Sequence, residues 1–158
     1  MTRPRIEPVD LEIIEALRRD GRMSFRAIAA AIGVSTTTVS HRVQALVEAG
    51  VIRGFKPVLD YAKLGYGLTA VSQIKAQGRG IPRIVEDLVR DPTLLTVYEI
   101  TGEYDVMVVG KFKSEETMNR EIKRLLNHPQ IEGTNTSIVL SVAKENADLA
   151  LSLDDGKS

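Results

Sequence analysis

The chain has 158 residues, 43% hydrophobic and 27% charged, with a formal net charge of zero and no cysteine. This balance suits a globular protein of one domain or two small ones; it excludes disorder, disulfides, thiol catalysis and cysteine-ligated metals. No apolar run approaches a membrane span of roughly 18 residues and the N-terminus lacks a signal-peptide core, so no membrane partner is expected and the expected location is cytoplasmic.

The zero net charge hides an asymmetry. Residues 1–56 hold nine Lys/Arg against six acids, and the remainder 12 against 15. A head of about +3 on a body of about −3 fits nucleic-acid binding by the head.

Residues 1–8, with two prolines and two arginines (Arg3 and Arg5), form a short arm. Asp10 is placed to cap a first helix, with Ile13, Ile14 and Leu17 at helical spacing and Gly21 as a left-handed stop. A second short helix starts at Ser24, buries Phe25, Ile28, Ala29 and Ile32, and ends at Gly33. Ala29, Ala30 and Ala31 permit a close helix crossing. Gly33-Val34-Ser35 then turns into a third helix, the sequence form of a helix-turn-helix.

That third helix, Ser35 to Leu46, organises the chain. Ser35 is its N-cap, and Val39, Val43 and Leu46 make an apolar stripe at i, i+4, i+7. Thr36-Thr37-Thr38 each cost roughly 0.5 kcal/mol in helix propensity relative to Ala. Residues that weaken a helix start but offer short donors and acceptors suit an N-terminal half that enters a DNA major groove. Thr36, Thr37, Ser40, His41 and Gln44 are the expected base readers, with Ser35 and Thr38 at the helix start. Arg26, Arg42 and the Arg3/Arg5 arm are expected to set register on phosphates. Arg42 lies beside the core stripe, where an ion pair with an acid of the first helix is the other expectation. The competing reading is a three-helix bundle with no DNA role. After Ala49-Gly50, Val51–Phe55 reads as a short strand, a candidate wing.

From Leu68 the period changes to two. Leu68–Ala76 alternates like a strand, Gly78-Arg79-Gly80 breaks it, and Ile81, Ile84, Val85, Leu88 and Val89 mark a helix ending near Asp91-Pro92. Leu94–Ile100 and Asp105–Phe112 read as strands around a Gly102-Glu103 turn. Ser114 caps a helix through Met118, Ile122, Leu125 and Leu126, stopped by His128-Pro129. A last strand runs from Gly133 to Ala143. The order β-α-β-β-α-β predicts a ferredoxin-like fold, α+β overall, with both helices on one sheet face. The strand residues are apolar on both faces: Val106, Val108 and Phe112 against Met107 and Val109, Leu95 and Val97 against Leu94, Tyr98 and Ile100. The uncovered face therefore needs a partner, and sheet-to-sheet homodimerisation supplies one while pairing two recognition helices. The expected domains are 1–52, a linker with a short strand at 53–66, 67–145, and a tail at 146–158.

Gly65-Tyr66-Gly67-Leu68-Thr69-Ala70 matches G-x-G-x-x-A, but a strand rather than a helix follows it, so no dinucleotide site is expected. His41 and His128, the only histidines, lack ligand-spaced companions, so neither a metal nor a cofactor is expected.

Asp10, Ile13-Ile14, Leu17, Asp20-Gly21-Arg22, Ile28-Ala29, Ile32-Gly33-Val34-Ser35, Arg42-Val43, Leu46 and Gly50-Val51-Ile52 together resemble the N-terminal module of the Lrp/AsnC (leucine-responsive/asparagine regulator) family. The second half resembles that family's effector-sensing domain, so the likeness spans residues 6–145. Thr101-Gly102-Glu103-Tyr104-Asp105 looks like the family's Gly-x-Tyr-Asp loop. The resemblance implies a transcription regulator that binds double-stranded DNA, forms dimers that build tetramers or octamers, and holds a small effector, usually an amino acid. Gly102 lets backbone approach a ligand, Asp105 and Glu99 answer an ammonium, Tyr104 covers it, and Thr134, Asn135, Thr136 and Ser137 take a carboxylate. The alternative for Asp105 is a capped β-turn. Two other functions remain open: a sirohaem-decarboxylase-like enzyme, for which His128 is the one available histidine in the second domain, and an architectural DNA-binding protein without effector.

Overall fold

The structure is a computed structural model that describes residues 4–145 and 149–153; Arg3 of the expected arm lies outside these. The described chain forms two compact units, residues 4–58 with 149–153, and residues 59–145.

The first unit holds α1 (Pro8–Arg19), α2 (Phe25–Ile32) and α3 (Thr36–Glu48), packed around Ile13, Ile28, Ala29, Val39 and Val43. Ser24 caps α2 by accepting the Ala27 N–H at 3.2 Å. Gly33 ends α2 at φ +74°, and its N–H reaches the Ala29 carbonyl at 3.0 Å. That left-handed residue turns the chain into α3, whose N-cap is Ser35.

Five expectations change here. Glu7, not Asp10, caps α1; Asp10 is its third residue and closes a reciprocal capping box with Glu7, after a proline that suits the first turn. Gly21 is not left-handed, because α1 already ends at Asp20 with an extended residue. Phe25 opens α2 on the solvent side, 37% exposed, and of the three alanines only Ala29 is buried. The expected wing strand at Val51–Phe55 is absent. The N–H groups of Val51 and Ile52 both return to the Leu46 carbonyl at the end of α3. Residues 53–59 make no backbone hydrogen bond among the described residues, so no ladder forms.

The second unit holds β1 (Leu68–Ala76), α4 (Ile81–Val89), β2 (Leu94–Glu99), β3 (Val106–Phe112), α5 (Glu115–Leu126) and β4 (Ile131–Ile138). The strands lie in the order β2-β3-β1-β4, every neighbour antiparallel, which is the ferredoxin-like arrangement. Ile84 and Leu88 of α4 and Leu125 of α5 pack on Ile74, Ala76, Val106 and Val108, so both helices cover one face. The last strand stops at Ile138 instead of Ala143; Val139 still donates to the Thr69 carbonyl at 2.9 Å before the chain leaves the sheet.

The register of β2 also differs from simple alternation. A bulge between Leu94 and Thr96 sets Leu94 opposite Gly110 and Val97 opposite Val108. Leu94 and Val97 therefore share the helix-covered face instead of opposing each other, and Leu95 is left 45% exposed. The open face carries Val71, Met107 and Val109, half-buried, and Tyr98, 55% exposed. At one corner of that face Thr69 and Lys111 are nevertheless buried. There the Lys111 Nζ lies 3.1 Å from Glu145, 3.2 Å from the Thr69 hydroxyl and 5.9 Å from the Tyr61 ring centroid.

Replacing Gly33 by Ala adds a Cβ to a left-handed residue in open space, so strain and not collision sets the cost, about 1 kcal/mol. We expect the urea midpoint of the first unit to fall accordingly; an unchanged midpoint would show that the turn tolerates another conformation.

Candidate nucleic-acid interface and effector loop

α3 divides cleanly. Val39, Val43 and Leu46 are buried, whereas Ser35, Thr36, Thr37, Thr38, His41 and Gln44 are exposed and Ser40 is half-buried. The Ser35 hydroxyl accepts the Thr38 N–H at 3.0 Å and lies 2.8 Å from the Thr38 hydroxyl. Ser35 and Thr38 thus serve the cap, and Thr36, Thr37, Ser40, His41 and Gln44 remain the outward polar set. Thr37, His41 and Gln44 fall at i, i+4, i+7 with Thr36 and Ser40 in the adjoining row. Gln44 Nε2 donates to Glu48 at 2.9 Å, a partner readable from its i+4 spacing but absent from the sequence reading.

Arg42 points the other way, toward α1. Its Nε donates to Asp10 Oδ1 at 2.7 Å, a second guanidinium nitrogen binds Asp10 Oδ2, and a third lies 3.9 Å from Glu7. Asp10 is 1% exposed and also accepts the Glu7 N–H at 2.8 Å. The Arg42 hydrogen bond holds the Asp10 carboxyl below its usual range against the opposing effect of burial, and Asp10 in turn raises Arg42. Of the two roles expected for Arg42, the geometry realises the ion pair with the first helix. Arg26 and Arg5 are exposed.

In the second unit, Thr101, Gly102 and Glu103 are exposed between β2 and β3, with Gly102 at φ +122°, where a side chain would be strained. Tyr104 and Asp105 are half-buried and Glu99 is exposed. One Asp105 oxygen accepts the Ala76 N–H at 2.8 Å where β1 is irregular. The Asp105 N–H reaches the Ile74 carbonyl at 3.0 Å, and its carbonyl takes the Ile100 N–H at 2.8 Å. Asp105 therefore anchors the loop to β1.

The polar run on β4 does not join this loop within one chain. Glu99 lies opposite Val106, Val106 opposite Ile74, and Ile74 opposite Thr134, three strand spacings or about 14 Å. Thr136 is held 2.8 Å from the Ser72 hydroxyl, and Asn135 and Ser137 face the opposite side from Thr134 and Thr136. Near the end of α5, His128 takes the Gln130 N–H on Nδ1 and presents Nε2 to Asp87 at 3.6 Å. No group of three or more His, Asp or Glu among the described residues is arranged to hold a metal.

Comparison with known proteins gives two family matches, winged helix-turn-helix DNA-binding over residues 6–53 and Lrp/AsnC ligand binding domain over residues 69–149. An uncharacterized HTH-type transcriptional regulator of Pyrococcus abyssi is 43% identical over 141 residues, 89% of this chain and 96% of that one. The fold matches E. coli AsnC with a TM-score of 0.86 at 24% identity, over 92% of this chain and 99% of that one. It matches a Neisseria meningitidis transcriptional regulator, solved as an L-Met complex, with a TM-score of 0.86 at 20% identity, over 92% and 97%.

Two outcomes follow from the paired carboxylates. A depressed Asp10 pKa in the folded state contributes stability above the ordinary value of 3.8, and that stability is lost as pH falls through the lower folded value. Acid unfolding of the first unit below about pH 4 is thus expected to flatten in Asp10→Asn, at a cost of about 2 kcal/mol near neutrality; parallel acid curves would remove Asp10 from the explanation. Asp105→Ala should destabilise the second unit by about 1–2 kcal/mol without any ligand, and a melting temperature equal to the parent's would contradict the anchoring role.

Proposed function

The chain belongs to the Lrp/AsnC family of helix-turn-helix transcription regulators, and we propose that it binds specific DNA sites as a dimer or higher oligomer under the control of a small metabolite, in the first instance an amino acid. Membership in this family makes it a regulator and not an enzyme, which sets aside the decarboxylase alternative.

The observation that carries the DNA reading is the exposure of Thr36, Thr37, His41 and Gln44 on a helix whose opposite stripe is buried. Thr36 and Thr37, two β-branched residues at a helix start, have no packing role when their side chains face solvent; contact with base edges gives them one. Arg26 and Arg5 are free of the core to meet phosphates. Dimerisation is supported by Val71, Met107, Val109 and Tyr98 on the helix-free sheet face, and two copies present two recognition helices to half-sites about 34 Å apart.

The ligand would sit at the exposed loop, with Glu99 and the remaining Asp105 oxygen facing an ammonium, Thr101 and Gly102 offering backbone, and Tyr104 covering it. The family match is to a ligand binding domain, and the Neisseria relative of the same fold was solved with L-Met. Because Thr134 and Thr136 stand apart from that loop, a carboxylate partner would come from the loop itself or from a second copy. No described helix is long and apolar enough to cross a membrane.

Gel-shift titrations of genomic fragments at stated salt test the DNA reading. We expect one or more fragments to bind at least about 10³-fold more tightly than bulk DNA, and Thr37→Ala to lose about tenfold on those alone. Equal affinity for every fragment would point to an architectural protein instead. Melting scans against the twenty amino acids test the effector: a ligand of the folded state must raise the transition, and twenty flat scans would refute an amino-acid effector.

A further inference from the structure

We propose that Arg42 is a positioning residue that fixes the roll of α3 about its own axis, so that Asp10, buried inside the unit, governs which bases the helix reads. This rests on the reading of α3 as the base-reading helix.

The apolar stripe of α3 turns one side of the helix inward, and a directional contact narrows its roll further. Val39 and Val43 join the cluster, and Leu46 is buried beside them on the same stripe, through contacts that have no preferred direction. A guanidinium on a carboxylate is directional, because its planar fork matches both oxygens in one orientation. Here Arg42 spans both oxygens of Asp10, with Nε at 2.7 Å from Oδ1. The remaining nitrogen faces Glu7 at 3.9 Å. A DNA phosphate would have to displace two carboxylates to claim this side chain, which is 28% exposed.

Asp10 is itself immobilised. Its Oδ2 takes the Glu7 N–H at 2.8 Å, and the reciprocal capping box fixes both residues in the first turn of α1. A continuous path therefore runs from the first turn of α1 through Asp10 and Arg42 to the middle of α3. His41 precedes Arg42 directly, and Gln44 and Thr37 share its row. A side-chain tip lies about 6 Å from a helix axis, so a roll of about 20° moves it by about 2 Å. That displacement exceeds the distance tolerance of a hydrogen bond. Loss of the fork should therefore blur base choice without removing any phosphate contact.

Salt dependence separates positioning from phosphate contact. Each phosphate neutralised adds about −0.9 to the slope of log K against log salt. The full-length protein would be titrated on its best genomic fragment and on single-base variants of it, as wild type, Asp10→Asn, the double variant Asp10→Asn/Arg42→Gln, and Arg26→Ala. The double variant replaces the charged pair by neutral amides and strands no buried carboxylate, so it guards against simple unfolding, which circular dichroism at the assay temperature checks. We expect Asp10→Asn and the double variant to reduce discrimination between fragment and base variants about tenfold with the salt slope unchanged. Arg26→Ala should shift the slope by about 0.9 and weaken all sequences alike. A slope shallower by about 0.9 in the double variant would identify Arg42 as a phosphate contact and overturn the proposal. So would wild-type discrimination that survives in both Asp10 variants. A wild type without base discrimination would overturn the base-reading role of α3 itself, a different failure from either of these.

Discussion

A carboxylate withdrawn from water is the constraint on which the first unit turns. Asp10 is almost wholly buried, and an unpaired charge there would cost several kcal/mol. Its two oxygens are satisfied by Arg42 and by the Glu7 amide, so the charge becomes a fixed joint between the first and third helices. The apolar cluster around Ile13, Ile28 and Val39 supplies adhesion, and the ion pair supplies direction. With its inner side so committed, α3 is left with a polar outer side of which Thr36, Thr37 and His41 face solvent.

The second unit uses acids in the same way and for similar reasons. Asp91 accepts the Thr93 N–H at 2.8 Å and its hydroxyl at 2.6 Å, and pairs with Arg124 of α5. Burial works against its charged form, yet the Thr93 and Arg124 interactions prevail and its pKa lies below the ordinary range. Asp105 likewise satisfies the Ala76 amide where β1 departs from regular pairing. Two carboxylates thus secure loops at opposite ends of β2, one tying the sheet to α5 and one holding the exposed loop that carries Gly102.

Periodicity made most of this legible. The apolar spacing of Val39, Val43 and Leu46, the left-handed Gly33, and the change of period at Leu68 located the elements, and the order of strands and helices implied the sheet. Part of what stayed hidden depends on a partner far along the chain. The pairing of Arg42 with an acid of the first helix is legible, but not that the acid is Asp10, 32 residues away, which reads as a cap. Leu94 and Val97 look like opposite faces because a bulge leaves no trace in local hydrophobicity. Thr134 and Thr136 look like companions of the Gly102 loop until strand order places two strands between them and Glu99. The Val51–Phe55 segment has strand-forming residues, but a strand needs a neighbour and the described chain offers none.

The Lys111 corner has a consequence for how short this protein can become. An ammonium sunk into a sheet face is held there by Glu145, the Thr69 hydroxyl and the Tyr61 ring, and Glu145 and Tyr61 belong to the segments by which the polypeptide arrives at the sheet and departs from it. Trimming either one back to the nearest strand would strand a charge in an apolar setting. Shortened descendants of this sequence should therefore either retain both flanks or surrender the lysine, and the electrostatic edge of the unit lies beyond the edge that its hydrogen-bonded strands define.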